Sequence, residues 1–364
     1  TNSKVKVFWI EMVYSPAGGF NAADTSATST LKQGSSDTKP WFIPNENAIH
    51  CTNVTSGGYY YVTDGQAHDD ATGTDFWIPQ DFPKGYKAIY MMKYEISQQQ
   101  WIDFFNTLTS TQKPYRDITS STDSGKNSDS VVSRNTVSYT SGDATVTRGP
   151  RACNYLSWKD LCAYAAWAAL RPMTELEFEK AARGPLAAVS GEYAWGTASS
   201  AYCSAISGTE NGTEYCSTSG ANCTYYNRTF TGGDGGTGPT RVGIYARSTT
   251  ATARESAGAG FYGNLDLSGN LWERVVTVGN STGRAFVGSH GDGTLSTTYG
   301  QATNPDWPGY SGGEVLAATG SGFRGTSWYD TTAGNLSISN RTSAGYAVST
   351  RSNQYGGRCV RTAP

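Results

Sequence analysis

The residues best suited to chemistry lie late in the chain, in Tyr262-Gly263-Asn264-Leu265-Asp266-Leu267-Ser268-Gly269-Asn270-Leu271-Trp272-Glu273-Arg274. Apolar residues alternate there with oxygen-bearing ones, and glycines stand where the backbone must turn. Asp266 and Glu273 can supply two carboxylates, while Gly269 and Leu271 can turn carbonyls inward between them. Together these make the all-oxygen shell that a hard cation requires, so a structural Ca²⁺ held by Asp266, Gly269, Leu271 and Glu273 is one expectation. In the other, Asp266 caps a turn and Glu273 is a solvated strand residue. Trp272 should plug the loop into a core. Other signatures fail: there is no G-x-S-x-G, no P-loop and no G-x-G-x-x-G following a strand. No C-x-x-C occurs among the seven cysteines, so a zinc site is not indicated. Glu175 and Glu179 share one helical face and are expected to be solvated.

The elements that must position these residues are short. Ser97 with Gln100, Ser157 with Asp160, and Thr174 with Glu177 each form a capping box. They predict helices from Ser97 to about Leu108, from Ser157 through Ala169, and from Thr174 to a stop at Gly184. Apolar pairs staple the three starts: Ile96 with Trp101, Leu156 with Leu161, and Met173 with Phe178. Residues 5–14 read as a mostly buried strand, and residues 88–95 as another running into the first helix. Shorter strand candidates are residues 59–62, 76–79, 275–278 and 285–287, and the chain's end. The stretches at about 20–75, 110–150 and 185–260 lack a period and read as loop inserts in one domain spanning 1–364.

Composition narrows the partners. Basic and acidic residues nearly balance, 28 against 30, so no nucleic-acid footprint is visible. No apolar run approaches the roughly 18 residues that a membrane span needs. Forty-three glycines beside 23 tyrosines and 10 tryptophans suit an irregular, exported chain in which amphipathic rings carry much of the packing. The chain begins at Thr1 without a methionine, as a processed product or an excised piece of a longer chain would.

Several blocks, in order along nearly the whole chain, carry one resemblance. Residues 11–18, 156–160 and 171–184, the motif at 262–273, Gly325-Thr326-Ser327-Trp328 and Gly356-Gly357-Arg358-Cys359-Val360-Arg361 resemble segments of formylglycine-generating enzymes and their sulfatase-modifying-factor relatives. The resemblance implies an α+β, C-type lectin-like fold with two main helices on a twisted antiparallel sheet and a large irregular fraction. It also implies the Ca²⁺ ligands named above, with a second site at Asp234 and the Gly236 carbonyl. It allows a disulfide from Cys359 to Cys162 or Cys153, and an N-terminal module before Thr1. Family enzymes place two copper-binding cysteines after G-G-S-x, and that alignment puts Asp330 and Asn335 at those positions. Neither is a soft ligand for Cu(I), so the chain is expected not to be an enzyme. With only His50, His68 and His290, the three-histidine iron chemistry of a related branch is not visible either.

Residues 328–355 resemble the variable region of proteins diversified by retroelements. Tyr, Ser, Thr, Gly, Asp, Ala, Val and Asn lie between frame residues that include Trp328, Leu336, Asn340 and Arg341. Tyr supplies stiff contact area and Ser, Gly and Asn supply adaptable hydrogen bonds, as in a paratope. The expected contacts are Tyr329, Asp330, Thr342, Tyr346, Val348 and Ser352, whereas Arg341, Arg351 and Arg358 should pair with buried carboxylates or carbonyls. The alternative is an ordinary Ser/Thr-rich surface with half-buried tyrosines. The function expected is noncatalytic binding of a protein or cell-surface macromolecule by an exported protein at a cell surface, in the extracellular space or on a phage particle. A divergent oxidase and a structural component of a surface appendage or virion are the competing readings.

Overall fold

A computed structural model describes residues 6–24, 31–34, 39–53, 57–247 and 253–364. The principal elements, in chain order, are β1 (Met12–Ser15), β2 (Ile89–Met92), α1 (Gln98–Phe105), α2 (Trp158–Trp167), β3 (Arg171–Pro172), α3 (Glu175–Arg183), β4 (Trp272–Val276), β5 (Ser321–Arg324), β6 (Tyr355–Gly356) and β7 (Cys359–Thr362). All three helices start at the expected caps. Ser97, Thr174 and Ser157 each accept from the backbone N–H three residues on, and Gln100, Glu177 and Asp160 return the bond. Gly184 ends α3 at φ 66°, a conformation that glycine adopts without steric cost.

One sheet is antiparallel in the order β1-β2-β7-β3, so the end of the chain is threaded between the N-terminal strands and the α2–α3 connection. A second sheet has the order β5-β4-β6, with β4 antiparallel to β5 and parallel to β6. Trp101, Phe104 and Tyr164 pack α1 against α2, and Phe178, Ala181 and Ala182 of α3 join Leu267, Val275 and Val360 in a second buried cluster. The remainder is short strands, turns and irregular chain, an α+β architecture with a large irregular fraction.

Several expectations are corrected. The long N-terminal strand shrinks to β1, because Val7 and Trp9 are exposed, Trp9 at 88%; Val5 lies outside the described residues. Residues 285–287 form no strand, and follow a helical turn at Ser281–Arg284. Residues 20–75 carry small sheets: Phe20–Ala22 pairs with Trp41–Ile43, and Ile49–Cys51 with Phe76–Ile78. Each strand alternates buried and less buried positions over three residues, too short a run for a period to register. Cys203 and Cys216 form a disulfide, and Cys359, Cys162 and Cys153 are buried free thiols. Leu267 and Leu271, not the half-buried Trp272, are the residues of the loop that enter the buried clusters. Glu175 and Glu179 are buried completely, for a reason that the next section supplies.

Candidate functional site

Between Gly325 and β6 the chain runs through a 3₁₀ turn at Ala333–Leu336 and forms no strand, yet it is firmly held. Arginines do the holding. Arg341 meets Glu175 of α3 at 2.7 and 3.1 Å and donates to the Val62 carbonyl. Arg351 meets Asp160 of α2 at 2.7 and 3.0 Å and donates to the carbonyls of Tyr115, Asp117 and Thr122. Arg358 meets Glu273 of β4 at 2.6 and 2.7 Å. Arg324 reaches Glu179, and Arg274 donates to the carbonyls of Val348 and Thr350. All these ion pairs are fully buried. Each side chain brings several donors in a planar fork, which suits a segment whose carbonyls find no ladder.

The carboxylates respond to this pairing. Burial pushes the carboxyl groups of Asp160 and Glu175 up, but the facing guanidiniums outweigh it and hold both below the usual carboxylate range. Thus the acids that looked solvated on one face of α3 are the sockets for the segment's frame.

Three stretches of irregular chain wall the segment. Gln66 donates to the Thr342 carbonyl, and Asp64 accepts from Gly345 N–H at 2.6 Å. Asp123 O accepts from Arg351 N–H, and Asn353 donates to Ser133 Oγ. On the far side, Tyr226 and Asn227 adopt positive φ, 86° and 47°, and donate their N–H groups to the carbonyls of Asp330 and Trp328. None of this was legible in the sequence, since the walls lack a period and most of their partners are backbone atoms.

Of the six expected contacts, Tyr329 and Tyr346 are exposed, at 48% and 40%. Asp330, Thr342, Val348 and Ser352 are half-buried. Asp330 accepts from the Ser327 backbone and hydroxyl, and Thr342 is bonded twice to Asn340 Oδ1. Trp328 is buried at 4%, with its indole N–H on the Asn353 carbonyl.

The motif at 262–274 is gathered into one buried corner. Asp266 and Asn270 take left-handed φ, and a Cβ on Gly269 would come 2.7 Å from the Thr224 carbonyl, so glycine is required there. Glu273 gives both oxygens to Arg358, while Asp266 accepts from Gly243 N–H at 2.6 Å. Glu95, absent from the sequence reading, enters beside them and accepts from Leu271 N–H and the Asn270 amide. Burial raises all three carboxyls, Glu95 well above its usual range, with Asp266 and Glu273 adding repulsion. In this arrangement the residues do not fit a calcium ion with Glu273 as ligand, because the Arg358 guanidinium already satisfies that carboxylate. Asp234 of the second expected site is likewise paired with Arg151 and Arg134, beside Glu210.

Residues 44–363 match the model of the sulfatase-modifying factor enzyme 1-like domain. The chain belongs to that family. Its C-type lectin-like expectation and the α+β architecture above agree. A formylglycine-generating enzyme from Thermomonospora curvata is 30% identical over 136 residues, 36% of this chain. The match spans only 35% of that curated relative's length. Among solved structures, PvdO from Pseudomonas aeruginosa matches at 15% identity and TM-score 0.41, over 97% of this chain and 94% of that one. Treponema denticola variable protein 1 matches at 13% identity and TM-score 0.41, over 97% and 95%. Asn335 Nδ2 lies 3.4 Å from Asp330 Oδ1, the two residues that the sequence resemblance was expected to lay on the copper-binding positions.

Proposed function

We propose that this member of the family is a noncatalytic binding protein that presents residues 329–352 to a protein or cell-surface macromolecule. The observation that carries the reading is the division of labour between neighbours. Trp328 is buried and bonded into the frame, whereas Tyr329 beside it, and Tyr346 beyond Arg341, stand in solvent. Stiff amphipathic rings among Ser, Thr, Gly and Asn on a base fixed by buried ion pairs make a surface suited to recognition. The residue types between the frame positions are those of a retroelement-diversified segment, and the reading takes this segment to be one. Export follows from that role. Among the described residues no helix is long and apolar enough to cross a membrane.

Two features argue against retained oxidase chemistry. Asp330 and Asn335 offer no soft donor for Cu(I). The five unpaired cysteines are all buried, and burial raises their thiols, which disfavours the thiolate that binds a metal. The partial similarity to a formylglycine-generating enzyme makes thiol oxidation the reading to test against. Oxygen uptake should stay at the blank rate when the protein is mixed with Cu(I) and a cysteine-containing peptide, and the peptide should return with its mass unchanged. Copper-dependent turnover would overturn the noncatalytic reading.

A further inference from the structure

The arginines that frame the recognition segment are buried and paired, but Arg228 stands in solvent. Among the described residues no carboxylate or carbonyl reaches its guanidinium. Its contacts are aromatic instead, for it lies 4.9 Å from the ring centroids of both Tyr202 and Tyr226. Those two rings stack on each other at 4.9 Å and 10°, and both meet the buried Tyr225 edge-on, at 6.0 and 5.9 Å. A guanidinium placed in this way gives up rotamer freedom before any partner arrives and keeps its fork of N–H donors unspent.

The turn that carries this cluster is fixed to the recognition segment. The N–H groups of Tyr226 and Asn227 bond the carbonyls of Asp330 and Trp328 at 2.6 and 2.8 Å, one on either side of Tyr329. Tyr226 holds φ 86°, a conformation that glycine adopts without steric cost, and yet it carries there a ring that is 39% exposed. That ring contributes to the surface rather than to the core. The exposed Tyr329 and the exposed Tyr226 thus lie on strips of backbone bonded to each other, and Arg228 follows two residues on.

We infer that Tyr202, Tyr226 and Arg228 form a fixed extension of the recognition surface, and that Arg228 receives an aspartate or glutamate carboxylate of a protein partner. This rests on the binding-protein reading and adds the chemistry of the partner to it. An exposed charge with no opposite charge in its own chain is matched by one on the partner, and a guanidinium takes a carboxylate through two parallel bonds. Asp330 and Asp234, which flank the turn in space and in sequence, are already engaged by Ser327 and by Arg134 and Arg151. Tyrosine rings around the pair exclude water, the setting in which arginine and tyrosine dominate interface energetics. A nucleic acid is a poorer match, since one guanidinium supplies one charge and 28 basic against 30 acidic residues make no basic field around it.

Selection of random dodecapeptides displayed on phage tests the inference, run in parallel on the intact chain and on its Arg228→Gln variant. Peptides recovered on the parent should be enriched in Asp and Glu, and those recovered on Arg228→Gln should not. A synthetic copy of one parent-selected peptide should lose about thirtyfold in affinity on Arg228→Gln, or when its own acid is changed to the amide. The change in the peptide reads the same contact without touching the protein's fold. Arg228→Lys should regain only part of the affinity, because an ammonium is a point charge without the fork, and both variants should melt with the parent. No recovered peptide, recovery without acidic enrichment, enrichment that persists on Arg228→Gln, or tighter Arg228-dependent binding of a heparin oligosaccharide or an oligothymidylate would overturn the inference. Peptides that bind the parent and Arg228→Gln alike but are lost on Tyr329→Ala would overturn it too, and would leave the binding-protein reading standing.

Discussion

Arg351 lies bidentate on Asp160, the same carboxylate that accepts from the backbone N–H of Ser157 and closes the first turn of α2. One acid thus starts a helix and anchors the chain 191 residues away. Removing Asp160 leaves two buried guanidiniums, those of Arg351 and Arg116, without their carboxylate, which commonly costs about 3–5 kcal/mol, whereas removing Arg351 leaves Asp160 still paired with Arg116. Asp160→Asn should lower the melting temperature by many degrees, and Arg351→Ala should lower it by less because Arg116 stays on the carboxylate. The carboxyl of Asp160 is depressed in the folded state, so its contribution is present above the unfolded value near 3.9. It should be lost as pH falls below about 4 towards the folded value. A wild-type acid melt steeper than that of Asp160→Asn in this window is the expected result.

Asp64 titrates in the opposite sense. Burial raises its carboxyl to about 7, against the hydrogen bonds from Gly345 and Gln66. The folded state therefore binds the proton more tightly than the unfolded chain. Its contribution is complete below the group's ordinary value of 3.8 and is lost as pH rises through about 7. In Asp64→Asn, stability measured by urea denaturation should depend less on pH between 4 and 7. An unchanged pH profile would mean that the group titrates normally.

Chelation should leave the melting temperature unchanged, because Arg358 already supplies the positive charge beside Glu273. A calcium ion bound at a hundredfold over its dissociation constant would contribute about 2.7 kcal/mol, easily seen in a melt with and without EDTA. A clear fall on adding EDTA, together with calcium in the purified protein, would restore Asp266, Gly269, Leu271 and Glu273 as ligands.

Tyr329→Ala and Tyr346→Ala should melt within a few degrees of the parent, since surface substitutions usually change stability by about 0.5 kcal/mol or less. Trp328→Ala should lose about 3–5 kcal/mol through the void that it leaves against Ala152 and Leu271. If the tyrosine variants melt as low as the tryptophan one, the exposed rings belong to the fold and the recognition surface lies elsewhere.

Thiol mapping of the intact protein gives a further check. A peptide linking Cys203 to Cys216 should appear, and Cys51, Cys153, Cys162, Cys223 and Cys359 should be alkylated only after denaturation. A Cys162–Cys359 link would revise the account of how β7 is held to α2.

The helices and their caps were legible because a capping box is a local signal, complete within four residues. The family blocks were legible for a related reason: Gly269 and Asn270 occupy backbone conformations that few other residues adopt at low cost. The destination of charge was not legible. Glu175 and Glu179 are four residues apart and look like a solvated face, but their partners Arg341 and Arg324 lie more than a hundred residues away. Likewise a carboxylate among carbonyls reads equally well as a metal ligand or as a seat for a guanidinium, and only the position of Arg358 tells them apart.

The paired arginines also set a rule of length. Arg341 and Arg351 are seated in sockets on two different helices, and nine residues bridge the distance between them. A change of letter at its outward positions, such as Tyr346, alters what faces outward and leaves both anchors seated, whereas Ala344 and Gly345 are buried and belong to the frame. An added or deleted residue would shift the register and pull one guanidinium out of its socket. The segment is therefore open to rewriting by substitution at its outward positions and closed to insertion, and any library built on this scaffold should randomise identity there while holding the residue count fixed.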